Sequence, residues 1–209
     1  MCTEGGRLTC DRSRVIFLDC DGVLANARSM LWDYDPSDET LIHDPLGRQA
    51  CAALERRCVE NLRRVVCESG AGIVLTTTWR LDSQQRSFLM EALAQEGLAD
   101  VMMGDTPSLL GRSRGEEVRA WLDDHPEVTC FVAIDDSDAH VASFAQFLPQ
   151  GHFVQTFMRV TDNPSAEGLS SEKADEATSI LRRQLLRTLP CREEPCRDQF
   201  DGGLSSSEP

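Results

Sequence analysis

An α/β domain with a parallel sheet between two layers of helices is the fold class that this sequence of 209 residues predicts. Apolar segments of strand length alternate with segments in which apolar residues recur at helical spacing. The strand segments are apolar throughout, which is typical of strands that are buried on both faces. We therefore predict a three-layer α/β/α fold with a Rossmann-like sheet and a small cap insertion at residues 24–47.

The predicted elements keep this alternation along the whole domain. Strands are predicted at residues 14–20, 73–75, 101–103, 130–134 and 152–156. Helices are predicted at residues 49–69, 82–96, 113–125, 139–147 and 171–189. Gly97 is the stop signal of the second helix, and a capping box of Ser113 and Glu116 begins the third. Residues 1–12 are predicted to be a flexible arm, 13–189 the domain and 190–209 a disordered acidic tail.

Composition limits the partners of the protein. The formal charge of -14 opposes non-specific attraction to nucleic acid or anionic lipid. No segment approaches the roughly 20 apolar residues of a membrane span, and the first residues have no apolar signal core. We therefore expect an intracellular, cytoplasmic protein without a membrane partner, and its oligomeric state is left open. Because Lys173 is the only lysine, a fixed cation in a functional site is expected to be an arginine.

Polar side chains gather where the predicted strands end. Asp19 and Asp21 follow the first strand, Thr76 begins a polar segment after the second, and Asp135 and Asp136 follow the fourth. Ligands of parallel α/β sheets bind at these carboxyl ends. Carboxylates that converge repel one another, so such a cluster needs a bound cation or retained protons. Hard oxygen ligands of this kind favour Mg²⁺, with Asp19, Asp21, Asp135 and Asp136 as the candidate metal residues.

The first two acids have the spacing for attack on phosphorus. Asp19 is placed to attack a phosphoryl group, and Asp21 can donate a proton to the leaving oxygen and later take one from water. Gly22 permits the sharp exit that brings backbone amides against the phosphate, so we place it with Thr77 and Arg80 among the candidate substrate-binding residues. These residues predict a phosphorylated substrate.

The segment Asp19-Cys20-Asp21-Gly22-Val23 resembles the first motif of the haloacid dehalogenase (HAD) superfamily of phosphatases. The resemblance implies that Asp19 is the nucleophile, that Asp21 is the general acid and base, and that an aspartyl phosphate forms. It also implies that Thr76 belongs to the second motif and hydrogen-bonds the phosphoryl group. By the same resemblance Asp135-Asp136 is the acidic fourth motif that holds Mg²⁺, without deciding which of the two is the ligand. Arg114 fits the basic third motif, with Arg112 as the alternative.

A narrower resemblance adds three further segments. Residues 75–80, residues 114–118 and residues 161–163 with 168–170 together resemble the small-capped phosphatase domain of Swiss-army-knife RNA repair proteins. This resemblance makes an RNA end a candidate substrate, although the net charge disfavours RNA. The predicted function is that of a magnesium-dependent phosphoric monoester hydrolase. A non-catalytic phosphate-binding module and a phosphotransferase remain the alternatives.

Four residues allow structural as well as functional interpretations. Thr77 either caps the following loop or contacts substrate, and Trp79 is either a packing residue or a platform for a base. Arg80 either pairs with a nearby acid such as Asp82 or reaches the substrate. Trp32 in the insertion either closes over the site or fastens the insertion to the domain.

Overall fold

The computed structural model describes residues 8–30, 35–46 and 53–188. Its strands are β1 (Asp11–Leu18), β2 (Leu41–His43), β3 (Ala53–Glu55), β4 (Ala71–Leu75), β5 (Met102–Asp105), β6 (Cys130–Asp135) and β7 (Phe153–Gln155). Its α-helices are α1 (Arg56–Ser69), α2 (Ser83–Gln95), α3 (Arg114–Asp123), α4 (Asp138–Phe147) and α5 (Ser171–Thr188). Among the residues described, no helix is long and apolar enough to cross a membrane.

Five strands form one parallel sheet in the order β5-β4-β1-β6-β7. β1 lies at its centre, and its side chains alternate between two apolar clusters. Ile16 and Leu18 pack with residues of α1, α2 and α5, whereas Val15 and Phe17 pack with residues of α3 and α4. Burial on both faces explains why β1 is apolar throughout. The predicted three-layer fold is confirmed.

The hairpin before α1 corrects the predicted secondary structure. Residues 53–55 form β3, which pairs antiparallel with β2. The helix α1 therefore begins at Arg56 and not at residue 49, where the sequence predicted its start. Leu54 misled the prediction because its four-residue spacing from Cys58 continues the apolar helical pattern into the strand. β1 is also longer than predicted and includes two residues assigned to the arm, Asp11 and Arg12.

The predicted insertion is anchored to the domain at its first residues. Leu24, Ala25 and Asn26 are fully buried, and the guanidinium Nε of Arg28 lies 3.5 Å from Glu55 Oε1 in β3. Trp32 and the 190–209 tail, on which the sequence analysis made predictions, lie outside the described residues.

The last helix supplies a missing edge to the sheet. β7 begins only opposite Ala133, which leaves the backbone of Phe131 in β6 without a strand partner on that side. The side-chain amide of Gln184 in α5 fills this gap, because it donates to Phe131 O and accepts from Phe131 N, both at 2.8 Å. Buried backbone groups must find such partners, so α5 is part of the sheet's hydrogen bonding.

Candidate active site

The turn after β1 brings its two acids to the end of the sheet. The amides of Leu24 and Ala25 donate to Cys20 O at 2.8 and 3.0 Å, which closes the chain into a tight turn. Gly22 in this turn has a φ of +67°, and a Cβ atom there would lie 2.1 Å from Asp136 Cγ. A glycine is therefore required at position 22 for two reasons. Its backbone conformation is left-handed, and Asp136, which follows β6, approaches it too closely to leave room for a Cβ atom.

Three carboxylates meet at this edge. One oxygen from each of Asp19, Asp135 and Asp136 lies within 4.8 Å of the others. Burial, reinforced by the charge of Asp135, raises the pKa of Asp19 to about 7. Burial and the same neighbouring charge raise the pKa of Asp136 to about 6. The trio therefore resists holding three negative charges by itself, and an all-carboxylate donor set of this kind fits a hard divalent cation.

Arg114 is the cation that the fold directs into this cluster. The Ser113 capping box sets the start of α3, so Arg114 is the first residue of that helix. Its Nη1 lies 3.2 Å from Asp19 Oδ1 and 4.0 Å from Asp135 Oδ2, and the residue is 7% exposed. Arg112, the alternative from the sequence, points away: its side chain is 63% exposed and pairs with Glu116 at 2.8 Å.

Thr76 presents a free hydroxyl beside the first turn. Its backbone amide donates to Leu18 O at 2.9 Å, which continues the pairing of β4 with β1 past the strand end. Its Oγ1 is buried and has no hydrogen-bond partner in the described part of the chain. A buried hydroxyl without a partner is uncommon, so this atom is well suited to receive a ligand oxygen.

Thr77 does not share that arrangement. It is fully buried, and its Oγ1 accepts a hydrogen bond of 3.2 Å from the backbone amide of Trp79. The hydroxyl therefore caps the short 3₁₀ turn at Thr78–Leu81, which is the structural one of the two interpretations that the sequence allowed.

The structure contradicts the predicted contact of Arg80 with substrate. All five of its N–H donors are used inside the protein, on the carbonyls of Thr76, Thr77, Thr106 and Pro107 and on the Glu117 carboxylate. The alternative prediction, a surface pairing with a nearby acid such as Asp82, is also replaced by this buried arrangement. Burial lowers the pKa of the Arg80 guanidinium, opposed by the charge of Glu117. Arg80 thus fastens the second-motif backbone and has no donor left for a phosphate.

Glu117 links two arginines and was missed by the sequence analysis. Its Oε2 lies 2.9 Å from Arg80 Nη2 and 3.7 Å from Arg114 Nε, while its Oε1 accepts from the Leu109 amide at 3.0 Å. The carboxylate therefore joins the backbone support behind Thr76 to the cation that faces Asp19. A signal was present, because Glu117 lies three residues after Arg114 on the same helix face.

His140 was also missed. Its Nδ1 lies 3.0 Å from both carboxylate oxygens of Asp135, and the Ser137 amide donates to Asp135 Oδ1 at 3.0 Å. The hydrogen bond to Asp135 raises the pKa of His140. These contacts fix the orientation of Asp135. The position of His140 in the first turn of α4 was the only available sequence signal.

Asp21 faces a different partner from the other acids. Its carboxylate accepts from the indole Nε1 of Trp79 at 3.0 Å to Oδ1 and 3.2 Å to Oδ2. Burial raises the pKa of Asp21, and the indole hydrogen bond opposes that rise. Its side chain is not a member of the carboxylate trio, so the structure does not support the predicted metal role for the Asp21 side chain.

A parallel Rossmann-like sheet with acids after its first and fourth strands, a threonine after the second and an arginine at a helix start defines a hydrolase fold of the HAD type. The family model described as "HAD domain in Swiss Army Knife RNA repair proteins" matches residues 15–174, and the chain belongs to this family. No curated protein matches the sequence. Family membership supports a phosphatase-like or hydrolase-like function in general.

Proposed function

We propose that the protein is a magnesium-dependent phosphatase that forms an aspartyl phosphate on Asp19. The approach of Arg114 to Asp19 carries this proposal, because a buried guanidinium 3.2 Å from a carboxylate places fixed positive charge where a phosphoryl group would meet its attacker. The free hydroxyl of Thr76 supplies a second group for the same phosphoryl oxygens. The pairing of the strands does not depend on the side chains of Arg114, Asp19 and Thr76, because it is made by backbone hydrogen bonds.

Each residue has a defined role in this mechanism. An oxygen of Asp19 attacks phosphorus while the bond to the leaving oxygen breaks, and Asp21 gives that oxygen its proton. Arg114 and Thr76 hold the non-bridging phosphoryl oxygens. In the second half, Asp21 takes a proton from water as the water oxygen attacks the phosphorus of the aspartyl phosphate. Phosphate leaves, and Asp19 returns as a carboxylate.

Asp19, Asp135 and Asp136 would hold the magnesium ion, together with the Asp21 backbone carbonyl. The fit rests on their all-oxygen donor set and on the raised pKa values of Asp19 and Asp136, which mark negative charge that lacks compensation. When bound, the ion offsets the negative charge that would otherwise repel a phosphate dianion from these acids. The hydrogen bonds of His140 and the Ser137 amide keep Asp135 in position for this role.

We propose a terminal phosphomonoester as the substrate class, with an RNA end as the first candidate. The family description refers to RNA repair proteins, and this is the support for RNA. The charge of -14 opposes binding along a polyanion, so recognition would centre on the terminal phosphate and its nearest nucleotide. An assay panel of RNA with terminal phosphates, mononucleotides, phosphopeptides and sugar phosphates compares these classes directly.

The mechanism is tested by Asp19→Asn with nitrophenyl phosphate and magnesium. We expect hydrolysis to fall by at least about a thousand-fold, because the nucleophile is removed. The matched control is Asp138→Asn at the same edge, where the carboxylate accepts from Gln155 Nε2 at 2.6 Å and lies outside the trio. It should retain activity. Full activity in Asp19→Asn would disprove the nucleophile, and absence of turnover in the wild type would favour the non-catalytic module.

The covalent intermediate has its own test. Enzyme quenched in acid during turnover of a radiolabelled substrate should carry label in a bond that hydroxylamine releases, as acyl phosphates do. Asp19→Asn should carry none. Label transferred to an added alcohol in preference to water would instead favour the phosphotransferase.

A further inference from the structure

The indole of Trp79 is buried against the proposed acid and base. Trp79 is 2% exposed, and its Nε1 contacts both oxygens of Asp21, at 3.0 and 3.2 Å. A single N–H shared between two oxygens holds the carboxylate against a fixed donor and restricts rotation of the group. Neither the family resemblance nor the sequence pattern assigned this indole a part in the reaction.

Trp79 is itself held rigidly. Its amide donates to Thr77 Oγ1 at 3.2 Å, and its carbonyl accepts from the Asp82 amide at 3.3 Å. Its ring packs against Phe88 of α2, with ring centroids 6.2 Å apart. Arg80, the next residue, fixes the backbone before it through the carbonyls of the second motif. The indole donor therefore has little freedom to follow a carboxylate that moves.

The chemistry of indole makes it a suitable partner for an acid that must release a proton. Its N–H donates and cannot accept, so a proton on Asp21 cannot form a hydrogen bond to Trp79. When Asp21 is protonated, the indole N–H stays with the oxygen that carries no proton, and the proton lies on the other oxygen, directed away from the indole. A carboxyl group held in this way presents its O–H in a fixed direction, as proton transfer to a leaving oxygen requires.

We propose that Trp79 is a positioning residue that holds the Asp21 carboxyl group in the orientation for protonating the leaving oxygen. This inference rests on the proposed phosphatase function. As the bond between phosphorus and the leaving oxygen breaks, its electron pair stays on that oxygen, which takes the proton from Asp21. Trp79 itself neither gains nor loses a proton.

The test compares substrates that differ in their need for that proton. Dinitrophenyl phosphate releases a phenolate that is stable without protonation, whereas phenyl phosphate releases one that requires it. The relevant constant is kcat/KM, because it contains the step that forms the aspartyl phosphate and not its hydrolysis, in which Asp21 acts as a base. In Trp79→Phe, kcat/KM for phenyl phosphate should fall about 10- to 100-fold, part of the 10²–10⁴-fold that general acid catalysis contributes. For dinitrophenyl phosphate kcat/KM should change less than about threefold. Asp21→Asn should show the same selectivity to a greater extent.

Phe88→Leu is the matched control for packing. It removes the ring that contacts Trp79 but leaves the indole N–H in place. We expect a loss of stability and an equal, small effect on both substrates. Selective loss on phenyl phosphate in Phe88→Leu as large as that in Trp79→Phe would assign the effect to packing and overturn the proposal.

A spectroscopic measurement tests the contact without turnover. The sequence has three tryptophans, so proton–nitrogen correlation spectra should contain three indole signals, and the one lost in Trp79→Phe belongs to Trp79. That signal should move upfield in Asp21→Asn, because a neutral amide is a weaker acceptor than a carboxylate. An unmoved signal, or equal losses on both substrates in Trp79→Phe, would overturn the inference while the phosphatase function stood. A wild-type protein inactive on both substrates would overturn the proposed function and the inference with it.

Discussion

The guanidinium of Arg80 and the carboxylate of Glu117 meet at 2.9 Å behind the site, with side chains only 3% and 10% exposed. One end of this pair holds the backbone around Thr76, and the other reaches towards Arg114. The contact therefore couples the second motif to the third. It is the structural link between the two groups that we expect to hold the phosphoryl oxygens.

Removing Glu117 should destabilise the protein strongly. In Glu117→Ala, two buried guanidinium groups lose their counter-charge, and we expect the free energy of unfolding to fall by about 3–5 kcal/mol. The measurement is urea unfolding at neutral pH. Glu116→Ala is the neighbouring control, because Glu116 caps the helix and pairs with an exposed arginine, so its loss should cost only about 1 kcal/mol. Equal losses in the two variants would contradict the coupling.

The carboxylate trio should make the metal-free protein less stable as pH rises. The pKa of Asp19 is raised from 3.8 to about 7, so the folded state binds this proton more tightly than the unfolded chain. Its contribution is fully present below about pH 4 and is lost as the pH rises through about 7. We expect Asp19→Asn to become more stable than the wild type near pH 8 in chelator. Urea unfolding against pH measures the difference, and parallel curves for the two proteins would contradict it.

Magnesium should reverse this loss. A cation that binds the folded state and not the unfolded chain stabilises it by mass action. The gain in Tm on adding magnesium should therefore be larger for the wild type at about pH 8 than at about pH 5, where protons compete for the carboxylates. Asp19→Asn should gain little at either pH. An equal gain in that variant would place the ion elsewhere.

Gly22→Ala should remove activity and lower stability. The backbone at position 22 is left-handed, which costs a residue with a Cβ atom about 1–2 kcal/mol. The new Cβ would also collide with Asp136. Gly97→Ala separates the two effects, because Gly97 has a φ of +75° and nothing within 4 Å of a Cβ. We expect the control to lose about 1–2 kcal/mol with full activity. Comparable hydrolysis by both variants would show that the close approach to Asp136 is not needed.

The choice between the two candidate arginines can be settled by kinetics. Arg114→Lys keeps the charge but loses the planar grip on two oxygens, so kcat/KM should fall by about 10²–10³-fold. Arg112→Lys should have no measurable effect, because that side chain is exposed and paired with Glu116. Hydrolysis of nitrophenyl phosphate at saturating magnesium provides the comparison. A larger effect at Arg112 would reverse the assignment.

The sequence predicted the location of the candidate site residues where they lie at the end of a strand or at the start of a helix. Asp19 and Thr76 come directly after apolar strands and Asp135 is the last residue of one, so parallel topology alone places them at one edge. Arg114 was identified because the family resemblance implies a basic third motif and the capping box places this residue at the start of a helix. The structure places these residues together, and the five-stranded sheet confirms the topology that brought them there.

The contacts that the sequence did not reveal join elements far apart in the chain. Arg80 was expected either to reach the substrate or to pair with a nearby acid such as Asp82, but it is buried and pairs with Glu117, thirty-seven residues away. Trp79 and Asp21 are separated by 58 residues. No spacing rule connects such pairs, because their proximity depends on how the loops at two strand ends pack together. The β3 strand was missed for a local reason, since Leu54 fits helix and strand patterns equally well.

The bond between Gln184 and Phe131 bears on where this folding unit ends. The family match stops at residue 174, only a few residues into α5, whereas the amide that completes β6 lies ten residues further on. A chain that ended at residue 174 would leave the amide and the carbonyl of Phe131 in the central sheet without hydrogen-bond partners. We therefore expect the folding unit to extend beyond residue 174, the last residue that the family model matches.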